Sequence, residues 1–233
     1  MSYLLPASMA SQRFVVCEAR EDDVEGMRIA LWEAFQHELP RTRPLALEDP
    51  AGFAAETTAR TLSTIQDSSS PFKWFVATPS DAPTTIACAV LWERTENANA
   101  TPFEPAITAP RGGSTQAAVY NESAVHYRAT VGERPHYGEG GPPSLVPVAL
   151  VMATDPSFQG QGAGSALLTY LTKIADEEGL LSYVDASPQS VRVYSKFGWK
   201  AVGQFKFPEP STGAEAEPVY ATIMLREPSA PAS

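Results

Sequence analysis

Cysteine is almost missing from this chain. Cys17 and Cys88 are the only two and lie far apart, so no disulfide framework is available and both are expected as buried, reduced thiols. Histidine is nearly as scarce: His37, His126 and His136 have no cysteine at metal-ligand spacing, and no metal is expected. Basic residues are outnumbered, 17 Lys and Arg against 27 Asp and Glu for a net charge of −10, and they gather into no stripe. A general nucleic-acid binder needs a basic surface, so that class is excluded. No apolar run approaches the ~20 residues of a membrane span, and residues 1–12 lack the basic start and long apolar centre of a signal peptide. The expectation is a soluble, cytoplasmic protein with no membrane partner.

What is present can build one substantial core. With 233 residues and 43% apolar content, a single domain over 13–227 is expected between short tails at 1–12 and 228–233. The 21 prolines and 15 glycines imply long irregular connections. An acidic surface favours solubility and, secondarily, cationic small molecules such as amines.

The most informative stretch is Gln159-Gly160-Gln161-Gly162-Ala163-Gly164-Ser165. The near-continuous apolar run 146–153 before it reads as a buried strand, followed by a polar connector at 154–157. After it, Gly164, Leu167, Leu168, Leu171, Ile174 and Ala175 recur at helical spacing until Gly179 stops the helix. The first turn of such a helix carries unpaired N–H groups and the positive dipole end, and glycines clear side chains from an approaching anion. The turn could also be a purely structural strand-to-helix joint. The segments that follow favour a ligand site: a strand at 181–186, Ser187-Pro188 opening a short helix with Val191, Val193, Tyr194 and Phe197, then a strand at 199–207.

These segments resemble the GNAT superfamily of acetyl-CoA-dependent N-acyltransferases. Its first hallmark, Gln/Arg-x-x-Gly-x-Gly/Ala, is met at every position by residues 159–164. Its second, Asn-x-x-Ala-x-x-Leu-Tyr-x-Lys-x-Gly-Phe, stands at 187–199 with Tyr194, Lys196 and Gly198 kept, Ser187 in place of Asn and Trp199 in place of Phe. The close resemblance covers roughly residues 145–207.

The resemblance implies a single α/β domain with a central, mixed, mostly antiparallel sheet and helices on both faces, splayed between 145–153 and 181–186 where the cofactor enters. It implies acetyl-CoA as co-substrate, with pyrophosphate at Gln159, Gly160, Gln161, Gly162, Ala163, Gly164 and Ser165 and the pantetheine arm along Met152, Ala153 and Thr154. Ser187 and Ser190 are counted with these cofactor contacts. Tyr194 takes the position of the residue that protonates the leaving thiolate. Many relatives carry a glutamate on the central strand, whereas 146–153 has no carboxylate. Asp185, Glu139, His136 and Glu133, or solvent, remain as proton acceptors. The acceptor is expected to be a small-molecule amine, and a homodimer is left open.

The N-terminal half reads as a strand at 13–19, a helix capped by Asp22 or Asp23, a helix at 50–66 and an antiparallel pair at 72–77 and 85–93. Trp32, Phe35 and His37 could wall an acceptor pocket, with core packing the alternative for the two aromatics. Residues 94–144 are expected as a loop and helix insertion, with a loop at 97–113 that covers the acceptor site and a helix at 116–130. Two other classes compete. A dinucleotide-binding turn fails on spacing, because the third glycine would fall at Ser165. A catalytically inactive acyl-CoA-binding sensor or interaction module is the standing alternative.

Overall fold

The computed structural model describes residues 13–38, 47–99, 113–139, 152–206 and 220–229. Its elements are β1 (Phe14–Glu18), α1 (Val24–Phe35), α2 (Pro50–Gln66), β2 (Phe72–Pro79), β3 (Cys88–Thr95), α3 (Gly113–Val131), β4 (His136–Glu139), β5 (Met152–Thr154), α4 (Ala163–Glu178), β6 (Leu181–Ala186), α5 (Val191–Ser195), β7 (Lys200–Lys206) and β8 (Tyr220–Arg226). The strands form one open sheet in the order β1-β2-β3-β4-β6-β8-β7, with β5 also paired to β3. Every pairing is antiparallel except β4 with β6. This is the mixed, mostly antiparallel α/β sheet that the sequence implied.

Local chemistry accounts for the helix ends. Pro50 opens α2, and the Asp49 carboxylate accepts a hydrogen bond from the Gly52 N–H at 2.9 Å, so proline sits where its missing donor costs nothing. Gly179, at φ 66°, ends α4 in the left-handed conformation. The expected cap on α1 is not made. Residues 21–23 form a 3-10 turn instead, and the Asp23 carboxylate accepts from the Arg20 N–H at 2.7 Å.

Strand alternation divides the core. Cys88, Val90 and Trp92 of β3 join Leu167, Leu168 and Leu171 of α4 on one face. Ala89 and Leu91 join Met27 and Ala30 of α1 on the other. Further along that second face, Tyr127 and Val131 of α3 pack on Tyr183 of β6 and Ile223 of β8.

The strand beside β3 is made from two separated pieces. Glu93 pairs with Gly138 in β4 and Val90 with Met152 in β5. Three positions on β3 therefore correspond to fourteen in the partner line, eleven more than an uninterrupted antiparallel strand needs. Residues 136–139, expected in a loop leading to glycines and prolines, are thus a sheet strand held between β3 and β6. Of the strand expected at 146–153, residues 152 and 153 are in β5, which runs on to Thr154; 146–151 lie outside the described residues. So do 100–112, which carry most of the expected covering loop.

Smaller corrections concern edges. β3 runs to Thr95 rather than ending at Glu93, and 85–87 precede it. α5 closes before Phe197. β8, for which no expectation was formed, lies between β6 and β7. Cys88 is buried, but Cys17 is only half-buried; both are free thiols. Among the described residues no helix is long and apolar enough to cross a membrane.

Candidate active site

The glycine turn opens α4. Gly160 and Gly162 have φ of 71° and 99°, a region that side-chain-bearing residues rarely enter. Gly162 is the N-cap of α4 and brings no side-chain acceptor, and no acidic residue stands in the first turn. The N–H groups at the start of α4 therefore keep their capacity to bind an anion. Gln161 is different, because its N–H is turned inward to the Phe158 carbonyl at 3.3 Å. Its side chain braces the turn instead, with Nε2 donating to the Ser157 carbonyl and Oε1 accepting from Arg13. Gln159 Nε2 donates to the Thr154 carbonyl at 3.3 Å.

Arg13 was missed by sequence reasoning. It lies 148 positions from Gln161, and only the pairing of β1 against β2 brings it to the turn. An exposed guanidinium beside helix-start amides adds positive charge where an anion would bind.

The turn abuts β5. A Cβ placed on Gly164 would lie 3.5 Å from both Met152 Cε and Thr154 Oγ1, so the helix start and β5 are in van der Waals reach. Thr154 Oγ1 is also 3.1 Å from Cys88 Sγ. Among the described residues β5 pairs with β3 alone, while β6 is flanked by β4 and β8. The edge of β5 opposite β3 thus carries no ladder partner, at the position where a splayed sheet was expected.

Tyr194 comes to the same place from α5. It is 3% exposed and shares a cluster with Ala163, Leu167 and Ala186, against which Met152, Phe158 and Val191 pack. Trp199 holds it edge-on, with ring centroids 5.6 Å apart. Ser187 and Ser190 are turned towards each other: the Ser187 hydroxyl donates to Ser190 Oγ, and the Ser190 hydroxyl to the Ser187 carbonyl, both at 3.0 Å.

The proton-acceptor candidates separate clearly. Asp185 accepts from the Ser123 hydroxyl on one oxygen and from the Tyr183 hydroxyl, at 2.6 Å, on the other; burial pushes its carboxyl above the usual range. His136 is fully buried, with Nδ1 2.8 Å from the Arg134 carbonyl and Nε2 2.7 Å from the Tyr127 hydroxyl. A carbonyl can only accept, so Nδ1 carries the proton and Nε2 accepts from Tyr127; burial holds the imidazole pKa down. Glu133 is exposed. Glu139 pairs with Val184 in β6. Glu93, absent from the sequence candidates, is only 5% exposed, and burial pushes its carboxyl up to about 7.

Of the three residues proposed to wall an acceptor pocket, Trp32 leans on Phe53 with ring centroids 6.3 Å apart and Phe35 packs against the α1 core. His37 is exposed in the turn after α1.

Residues 149–207 match the family model of the acetyltransferase (GNAT) domain. Over that stretch the chain is similar to GNAT acetyltransferase domains. Solved structures with the same fold include a histone acetyltransferase HPA2-related acetyltransferase from Corynebacterium glutamicum, 20% identical over 95% of this chain and 100% of that one, with a TM-score of 0.54. Arylalkylamine N-acetyltransferase 2 from Aedes aegypti is 13% identical over 94% and 100%, at 0.56. A polyamine N-acetyltransferase from Drosophila melanogaster, described as forming N-acetylagmatine, is 16% identical over 92% and 99%, at 0.53. No curated protein sequence matches the chain.

Proposed function

We propose that this GNAT domain transfers acetyl from acetyl-CoA to a small-molecule amine by direct attack. The observation that carries the reading is the meeting of three features at one point: the uncapped start of α4, the unpaired edge of β5 and the buried Tyr194. Acetyl-CoA supplies an activated thioester. The N–H groups at Gly162, Ala163, Gly164 and Ser165 suit its pyrophosphate, with Arg13 as an added cation. The free edge of Met152–Thr154 offers backbone donors and acceptors to an amide-bearing arm. In this reading Tyr194 hands its phenolic proton to the departing thiolate.

Small amines are favoured by the net charge of −10 and by the amines in the names of the arylalkylamine and polyamine relatives. The test is calorimetric titration with acetyl-CoA of wild type beside Ser165→Glu, followed by CoA-release assays with agmatine, spermidine and an arylalkylamine. Ser165 is exposed on the first turn of α4, so glutamate there adds charge without the backbone strain that any side chain meets at Gly162. Micromolar binding lost in the variant, with turnover of at least one amine, is the expected result. Binding without turnover of any amine would return the protein to the class of acyl-CoA sensors, and no binding would remove the reading.

A further inference from the structure

The support of Tyr194 comes from outside its own helix. The five residues of α5, Val191–Ser195, are too few for a helix that stands alone. The Tyr194 carbonyl accepts from the Phe197 and Trp199 N–H groups at 2.9 and 3.3 Å, which ties the tyrosine to the turn at 197–199. Trp199 meets its ring edge-on, yet the indole N–H of Trp199 is buried without a hydrogen-bond partner. Contacts alone therefore orient that indole.

One side chain of β8 reaches every part of this support. Arg226 donates Nε–H to the Phe197 carbonyl at 2.9 Å, and its guanidinium carbon lies 5.7 Å from the Trp199 ring centroid. A Cβ on Gly198, whose φ is 91°, would fall 3.6 Å from Arg226 Nε, so the guanidinium also follows the backbone of the turn. Its two NH2 groups go to Asp176 in the last turn of α4, at 2.7 and 2.6 Å, and Asp176 accepts as well from the Ser229 N–H at 2.7 Å.

A buried ion pair gains little net stability over apolar residues of the same volume, because both charges leave water. What the planar fork of an arginine adds is direction. Here it fixes α4, the turn after α5 and the indole beside Tyr194 in one arrangement. The opposite end of α4 is the glycine turn at Gly162, so the pair sets the tyrosine against the helix that would hold the pyrophosphate.

We propose that Arg226 is a positioning residue for acetyl transfer: acting through Trp199 and the Phe197 carbonyl, it aims the Tyr194 hydroxyl at the departing thiolate. This rests on the acetyl-transfer reading above. In that step the amine lone pair forms the C–N bond at the thioester carbonyl carbon, the C–S bond breaks and the N–H proton passes to solvent. The thiolate takes the Tyr194 proton, which solvent restores. A tyrosine displaced by about an ångström keeps its acidity and loses the line of transfer, so loss of Arg226 falls on the chemical step and spares cofactor binding.

The experiment places Tyr194→Phe and the paired change Asp176→Leu with Arg226→Met in a double-mutant cycle, measuring kcat, amine KM, acetyl-CoA affinity and Tm for all four proteins. The paired change leaves no buried charge alone. It should lower kcat about tenfold and keep KM and acetyl-CoA affinity, with Arg226→Lys, which retains charge without the fork, falling between it and wild type. In the Tyr194→Phe background the same change should cost less than about twofold, because no hydroxyl is left to aim. An equal loss with and without the hydroxyl, or a paired change with wild-type kcat, overturns the assignment while the acetyltransferase reading stands. So does an unchanged kcat in Tyr194→Phe. Should the paired change unfold the chain, Arg226→Lys takes its place in the cycle and the same results decide. Acetyl-CoA bound with no amine turned over removes the reading and this inference together.

Discussion

Arg226 grips Asp176 with both guanidinium NH2 groups, at 2.7 and 2.6 Å, and joins β8 to the last turns of α4. The same side chain donates Nε–H to the Phe197 carbonyl at 2.9 Å and lies 5.7 Å from the Trp199 ring centroid. Trp199 in turn supports Tyr194. Arg226 is 7% exposed, so removing its partner leaves a nearly buried cation unpaired. Asp176→Asn is expected to cost about 2–3 kcal/mol in urea unfolding at neutral pH. The Asp176 carboxyl is held below its usual range by the Arg226 hydrogen bonds. The associated stability is present above the unfolded value and lost as pH falls through the lower folded one, so wild type and variant should converge at acid pH.

Tyr194→Phe removes one hydroxyl and leaves the ring on Trp199. The expected outcome is a fall of about a hundredfold in kcat, with acetyl-CoA affinity unchanged by calorimetry. An unchanged kcat would return Tyr194 to a packing role.

Arg13→Ala should weaken acetyl-CoA binding about five- to tenfold and lessen its salt dependence. Arg13 is exposed, so Tm should stay unchanged. Calorimetry at low and high salt separates the charge effect from any disturbance of the turn through Gln161.

Glu93 carries a pH signature in stability. Its pKa is raised from 4.5 to about 7 by burial, so the folded chain holds this proton more tightly than the unfolded one. The resulting stability is full below about pH 4.5 and lost as pH rises through about 7. Between those limits wild type should lose on the order of 3 kcal/mol relative to Glu93→Gln, as read by urea unfolding across pH.

Gly26 in α1 sets the approach of that helix to the chain just before β3. A Cβ there would fall 2.6 Å from Ile86 Cγ1, and Ile86 is 4% exposed. Gly26→Ala should therefore destabilise by about 1–3 kcal/mol despite alanine's better helix propensity. Combined with Ile86→Ala, the loss should be smaller than the sum of the two single changes, as a double-mutant cycle in urea would read.

The glycine turn, α4, β6 and the tyrosine of α5 could be read because their signals are local: helical periodicity, a glycine stop and two short motifs with fixed spacing. α2 was placed at its observed bounds, 50–66, but the Asp49 cap was not foreseen. β4 was not, because His136-Tyr137-Gly138-Glu139 has no strand pattern of its own and is held by neighbours on both sides. Glu93 escaped notice because a charge at the end of an apolar run reads as the point where a strand meets water. The strand instead continues to Thr95, and packing around it buries the carboxyl. Arg13 illustrates the same limit: its role depends on a partner distant in sequence, which only the sheet order supplies.

The edge of β5 that has no ladder partner among the described residues also bears on how this protein behaves when isolated. Among the described residues the sheet passes from β3 to β6 through β4 alone, and a molecule bound along the edge of β5 would bridge the two halves. Ligand would then act as part of the scaffold, and by mass action the folded state gains RT ln(1 + [L]/Kd), about 2.7 kcal/mol at a hundredfold excess over Kd. Preparations stripped of bound acyl-CoA should melt earlier and exchange the amides of β5 and β6 faster than those of β2 and β3, and added acetyl-CoA should reverse both.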